Sequence, residues 1–490
     1  MKRISVVGLL LVALLYAPAL RSQQSTTDQS GSTPATPDQP LPASGATSSG
    51  STTDSGAVPA GHALFGSEGG GASQTASQPE MSPLSGAEQL TIPGTQPANY
   101  FDASALFSGS GDSGVLNSQG TPTWGANEVA GGEVMYDRSW NADRFSMAYS
   151  GGGVFYQPSA QYPTSMYQTL SLAQVFSWKR LTLRLLDQFS YSPNSLFGGA
   201  GTGGPGLLAE EGPTSAPLSP IYGAGDTILT GQTRVVNNSA VGEIQYNLSP
   251  RSSFTATGSY AVLQYLGGGY ISSRDYVVSA GYNYMLTAKD TLDVTYSLTQ
   301  TNYTGTPQNS DFQQVDLGYA HQLNGRLVFQ ISAGPELIAF HNYVPSAGNE
   351  LTWNLNTGLQ YRLRRSSLGA GFTHGANAGS GVFFGSVSDS ASGNVSHEFS
   401  RFLIGAVNVG YSFNSNLATT VGTANEYHNW FVGASLGREL GRYAHLSFNY
   451  GAQQQPSEGV CPVESCGTNS VVQTIGVSID LHIRPLGSLE

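Results

Sequence analysis

The chain has little charge, little basic charge in particular, almost no cysteine and no apolar run of helical membrane length. Only 11% of its 490 residues are charged, and 20 Lys+Arg stand against 32 Asp+Glu, a formal net charge of -12. The basic residues form no cluster. Nucleic acid, which binds Lys/Arg-rich surfaces, is therefore not an expected partner. After the first residues no segment approaches the length of apolar helix that crosses a bilayer. If the chain spans a membrane it does so with strands, since only helices and closed barrels satisfy every backbone polar group in lipid. No Gly-rich phosphate loop, no His-Glu-x-x-His and no Gly-x-Ser-x-Gly elbow occurs. The eight His are scattered, with His321, His374, His397, His445 and His482 on different candidate strands. No enzyme and no cofactor is expected from these residues.

The two cysteines, Cys461 and Cys466, lie in Cys-Pro-Val-Glu-Ser-Cys. In an exported chain a loop disulfide is the leading reading. A metal pair is the poorer alternative, since no His or further Cys lies close in sequence to complete a site; free thiols are the third.

What is abundant is glycine, 62 residues, and aromatics, 10%, at a mean hydropathy of -0.16. Lys2 and Arg3, the apolar stretch Ile4 to Leu15, and Ala17-Pro18-Ala19 read as an export signal over residues 1–22. Residues 23–125 are rich in Ser, Thr, Gly and Pro and are expected to be a disordered linker. Within it, Ala63-Leu-Phe-Gly66 and Ala105-Leu-Phe-Ser108 are small apolar islands. They read as chance or as short docking motifs. Trp124 to Trp140 is transitional and could hold an extra strand.

From about residue 143 to 484 one unit recurs: an alternating strand, a tight turn, a second alternating strand, a looser loop. Tyr276 to Leu286, Thr-Ala-Lys-Asp290 and Thr291 to Leu298 form its clearest copy. Leu292, Val294, Tyr296 and Leu298 share one face; Asp293, Thr295 and Ser297 share the other. Leu351, Trp353, Leu355, Leu359 and Tyr361 oppose Thr352, Asn354, Asn356, Gln360 and Arg362. Ile475, Val477, Ile479, Leu481 and Ile483 oppose Thr474, Ser478, Asp480, His482 and Arg484. Such ribbons are apolar on one side and wet on the other. Behind an export signal they predict an all-β fold: a transmembrane antiparallel up-and-down barrel of about 16 strands over residues 126–490. A soluble sandwich also alternates, but strands of this length are long for one. Trp178, Tyr303, Trp353, Tyr361, Trp430 and Tyr450 near strand ends suit an interfacial girdle.

Connections alternate between short (at 178–180, 249–251, 287–290, 324–325, 364–365, 400 and 441) and long (about 194–235, 341–349, 414–426 and 456–469). Short periplasmic turns and long external loops are the outer-membrane arrangement, with both termini periplasmic. The wet face carries charges of both signs, namely Arg184, Glu243, Asp293, Asp316, Glu336, Arg362, Asp480 and Arg484. They are candidate lumen residues, and their mixture suggests weak charge selectivity. The long loop after the third strand carries Glu210 and Glu211. It reads as a surface loop, or as one that folds inward to a constriction.

With these hairpins the chain resembles bacterial outer-membrane porin-like barrels over about residues 126–484. Thr474-Ile-Gly-Val-Ser-Ile-Asp-Leu481 is similar to the terminal signal read by the barrel assembly machinery, although the chain continues to Glu490. The hairpins Tyr276 to Leu298 and Asp316 to Phe329 also look like those of a porin family linked to exopolysaccharide export. The resemblance implies outer-membrane lipid, the assembly machinery, and a hydrophilic solute or polysaccharide as partners. It implies a pore for diffusion or export; a surface-binding or adhesive barrel acting through its external loops is a second class, and an assembly role through the Ser/Pro-rich N-terminal segment a third.

Overall fold

A computed structural model describes residues 100–116, 122–140, 143–157, 164–192, 234–267, 270–342, 348–377, 383–417, 426–441, 443–454, 457–458 and 471–486. The expected export signal, the expected linker as far as residue 99, Glu210, Glu211, Cys461 and Cys466 lie outside the described residues, as does the side chain of Arg484.

The described strands are β1 (Tyr100–Leu116), β2 (Pro122–Trp140), β3 (Asp143–Gln157), β4 (Ser165–Ser177), β5 (Leu181–Ser192), β6 (Val235–Ser249) and β7 (Ser252–Tyr265). Then come β8 (Ser273–Met285), β9 (Asp290–Tyr303), β10 (Asn309–Asn324), β11 (Leu327–His341), β12 (Glu350–Arg362) and β13 (Ser366–Asn377). The last are β14 (Ser386–Ser400), β15 (Leu403–Asn416), β16 (Glu426–Glu439), β17 (Ala444–Gln454), the two-residue β18 (Ser457–Glu458) and β19 (Val472–Leu486). All belong to one antiparallel sheet in which each strand but β18 pairs with its neighbours in sequence; β18 pairs with β16, β17 pairs with β19, and β1 pairs with both β2 and β19. The sheet is thereby a closed up-and-down barrel. Leaving β18 aside, it has eighteen strands.

The two strands beyond the expected sixteen are β1 and β2, so the barrel begins at Tyr100 rather than at 126. The island Ala105-Leu-Phe-Ser108 is part of β1, with Leu106 buried on the inner side and Phe107 48% exposed on the outer. β1 is built mostly of Ser, Gly, Ala and Asp, which reads as linker by composition. It is a strand because β2 and β19 saturate both its edges.

Tyr100 and Leu486 lie at the end of the barrel where the connections are short. Four of those turns share one device: a side-chain oxygen accepts the backbone N–H two residues on. Ser249 takes Arg251 N–H (3.1 Å), Thr287 takes Lys289 (3.1 Å), Asn324 takes Arg326 (2.8 Å) and Ser400 takes Phe402 (3.3 Å). Gly441, between β16 and β17, has φ +87°, which a side chain would resist.

Burial is inverted relative to a soluble protein. Large apolar side chains point out, among them Leu351 (72% exposed), Val278 (63%) and Val294 (50%). Asp112, Glu243, Thr301 and Ser447 are wholly buried on the inner side. The outer band faces lipid and the inner face is the polar one.

Candidate pore lining

The register assigns every strand's inner face, and most of the expected lumen residues fall on it. Arg184 on β5 stands opposite Glu243 on β6 and donates from Nη1 to Glu243 Oε1 and to Gln245 Oε1 (3.3 Å). Glu243 is wholly buried; this guanidinium is its charge partner. Asp293, Asp316, Glu336, Arg362 and Asp480 share the inner face, on β9, β10, β11, β12 and β19. Asp480 lies opposite His445 across the β17–β19 ladder.

The same face carries acids that hairpin reading passed over. Asp102 and Asp112 come from β1, Glu133 and Asp137 from β2, Asp275 from β8 and Glu439 from β16. Asp137 is held by Arg144 (2.8 Å) and Ser146 (2.7 Å), and Asp102 by His482 (3.1 Å). Asp275 accepts from Thr301 Oγ1 (2.7 Å). Parity along β8 would have found Asp275; those on β1 and β2 fell in the stretch read as linker or transitional. Among the described inner side chains the guanidiniums are Arg144, Arg184 and Arg362, so the wall is acid-rich rather than evenly mixed.

Three of these acids form a diagonal stair across consecutive strands. Asp293 lies opposite Gly318, Asp316 is two residues from Gly318, and Glu336 lies opposite Gln314, two residues further. Each is held through one oxygen by a neutral donor. Thr295 Oγ1 donates to Asp293 Oδ2 (3.1 Å), Gln314 Nε2 to Asp316 Oδ2 (3.1 Å), and the Ala376 backbone N–H to Glu336 Oε2 (3.0 Å). The ladder between β10 and β11 is interrupted between Gln314–Glu336 and Leu317–Ala333. Pro335, which has no N–H to give, lies in that gap. The two backbones crowd there: a methyl group on Gly334 would sit 1.7 Å from the Val315 carbonyl oxygen.

The lining is not uniformly polar. Leu106, Val129, Val154, Tyr156 and Tyr167 form an apolar plaque on the inner side of β1–β4. Tyr303, expected in the girdle, is also inner, 4% exposed and edge-on to Phe384. Its position on β9 has the parity of Asp293, not that of Val294. Trp178, Trp353 and Tyr450 are exposed, as a girdle requires. Several acids break the outer pattern, among them Asp389 on β14, which pairs with His374 on β13 (2.6 Å). Glu128 on β2 is exposed on the outside, and Asp187 on β5 accepts from Asn238 Nδ2 (2.9 Å).

The architecture is that of an outer-membrane porin-like barrel. Among solved structures the chain is similar to outer-membrane protein OpdK of Pseudomonas aeruginosa (10% identity, TM-score 0.39, covering 79% of this chain and 100% of that one). It is similar to OccK2 (OpdF) of the same organism in complex with glucuronate (10%, 0.41, 79% and 98%). A third is OccAB3 of Acinetobacter baumannii (7%, 0.40, 78% and 99%). No protein-family model matches the sequence. No curated protein matches it.

Proposed function

We propose that the protein is a passive outer-membrane pore for small hydrophilic solutes. The observation that carries this is the closed eighteen-stranded barrel with an apolar outside and a polar inside. Barrels of about 16–18 strands are wide enough to leave an aqueous channel, and passage needs a continuous polar wall and no chemistry. Tyr100 and Leu486 lie with the short turns, which we assign to the periplasmic side, so that both termini start from there and the long loops face outward. β19, with its alternating Thr474 to Leu481, is the segment the barrel assembly machinery reads.

Charge selectivity was expected to be weak because the lumen charges were of both signs. The inner acids now outnumber the inner guanidiniums, and Arg184 and Arg144 are already engaged by Glu243 and Asp137. A preference for cations and neutral solutes follows. An anion such as the glucuronate of the OccK2 structure would be repelled by this wall. Polysaccharide export or adhesion through the outer loops would need features of the long connections, and nothing in the barrel wall favours them over solute passage.

Planar-bilayer recording of the refolded full chain tests the reading. Stepwise, ohmic conductance increments are expected; a folded, heat-modifiable barrel that inserts without any current would rule the pore out.

A further inference from the structure

The stair of Asp293, Asp316 and Glu336 has the construction of a binding surface. Asp293 is 3% exposed, Asp316 8% and Glu336 2%, and among the described residues no Lys, Arg or His is hydrogen-bonded or ion-paired to any of the three. The held oxygen of each is turned to a neutral donor, and Asp293 Oδ1 and Asp316 Oδ1 are left without a partner. Gly318 shapes the first step. Its missing side chain lets the Asp293 carboxylate lean over β10 toward Asp316, since a methyl group there would meet Oδ1 at 1.9 Å.

A neutral amide flanks the stair on the other side. Asn283 on β8, directly opposite Asp293, is 5% exposed. Its Nδ2 is turned to β7, donating to Ser253 (3.4 Å) and Thr255 (3.3 Å). Both partners are hydroxyls that donate as well as accept, so the amide equally turns its Nδ2 toward β9, where Asp293 lies opposite. Thr295, opposite Asp316, and Gln314, opposite Glu336, are the neutral donors between the steps, and each satisfies one carboxylate oxygen, leaving Asp293 Oδ1 and Asp316 Oδ1 unmatched. Buried acceptors without donors are costly and rarely left so.

We infer that the wall formed by Asp293, Asp316 and Glu336 binds the cationic group of a permeating solute. This rests on the pore reading above. Among the described residues no three acidic, His or Cys groups converge closely enough to ligate a bare metal ion. Diagonal neighbours on paired strands stand about 7–8 Å apart. That spacing fits an ammonium group or a hydrated cation passed from one acid to the next, and it suits a linear polyamine better than a single ion.

The test compares the full-length protein with its Asp293→Asn/Asp316→Asn/Glu336→Gln variant, which keeps the shapes and neutral donors. Under a KCl gradient the wild type should show a reversal potential displaced toward that of K+. The variant should lose cation-over-anion permeability by at least about threefold while still conducting. Glu128→Gln, on the outer wall, should leave the ratio unchanged. A second readout needs no current: spermine should raise the unfolding midpoint of the detergent-folded wild type and not that of the triple variant, and Mg2+ should do so less. Absence of any current would sink the pore reading while the spermine shift still tests the site. Current with an unaltered permeability ratio in the variant, or an equal spermine shift in both proteins, would overturn the inference.

Discussion

The carboxylate of Asp293 on β9 lies over the α-carbon of Gly318 on β10, in space that a methyl group at 318 would share at 1.9 Å from Oδ1. The obstacle there is the end of a short side chain, which can swing aside. At Gly334 on β11 the obstacle is the Val315 carbonyl, met at 1.7 Å. These two glycines should therefore respond differently. Gly318→Ala is expected to cost roughly 1 kcal/mol or less in barrel stability, yet to turn Asp293 away and lower cation preference as Asp293→Asn does. Gly334→Ala must move backbone and should cost about 3 kcal/mol or more. Urea unfolding of the refolded barrel, monitored by tryptophan fluorescence, separates them; equal losses would refute the distinction.

Arg184 and Glu243 make an unequal pair, 24% and 0% exposed. Arg184→Ala strands a buried carboxylate and should destabilise by about 3–5 kcal/mol. Glu243→Gln, which leaves an exposable guanidinium, should cost less, and the double Ala variant should recover much of the loss. A double-mutant cycle in urea measures it, and strict additivity would contradict the pairing.

Val294 and Thr295 are adjacent on β9, the one 50% exposed to the outside and the other 7% exposed within. Val294→Arg puts charge into the lipid band and should cost about 2–4 kcal/mol if near the midplane. Its effect should appear in vesicles and shrink in detergent, where the headgroup region is close. The same penalty in both media would mean that Val294 does not face lipid.

Removal of residues 100–116 tests the start of the barrel. Without β1, the edges of β2 and β19 are left unpaired. The truncated chain should not yield a heat-modifiable band on electrophoresis, whereas a chain truncated before residue 100 should. Closure of both would restore the shorter barrel expected over 126–490.

How far the sequence carried the fold depended on each strand's own side chains. β12 and β19 alternate bulky apolar with polar residues, and their faces were legible in full. β1 holds few bulky residues, so its strand character comes from its partners and left no local trace. The inner acids divide the same way. Asp293, Asp316 and Glu336 stood out because apolar neighbours of opposite parity framed them. Asp102 and Asp112 lay among Ser and Gly with no such frame. That the three legible acids adjoin was not readable, because the offset between β9, β10 and β11 is a property of register. Tyr303 shows the reverse error: position near a strand end suggested an interface, while parity put it inside.

Every long ladder in the barrel except one joins strands adjacent in the chain or separated only by the two-residue β18; the exception pairs Ala103 with Ile483. Hairpins of near neighbours form at small loop-closure cost, while the seam must bring together ends separated by nearly the whole folded chain. Synthesis order compounds this, since the last strand emerges after every other hairpin is available. The seam should therefore set the rate of folding, and until it forms β1 and β19 are open edges that need a holder.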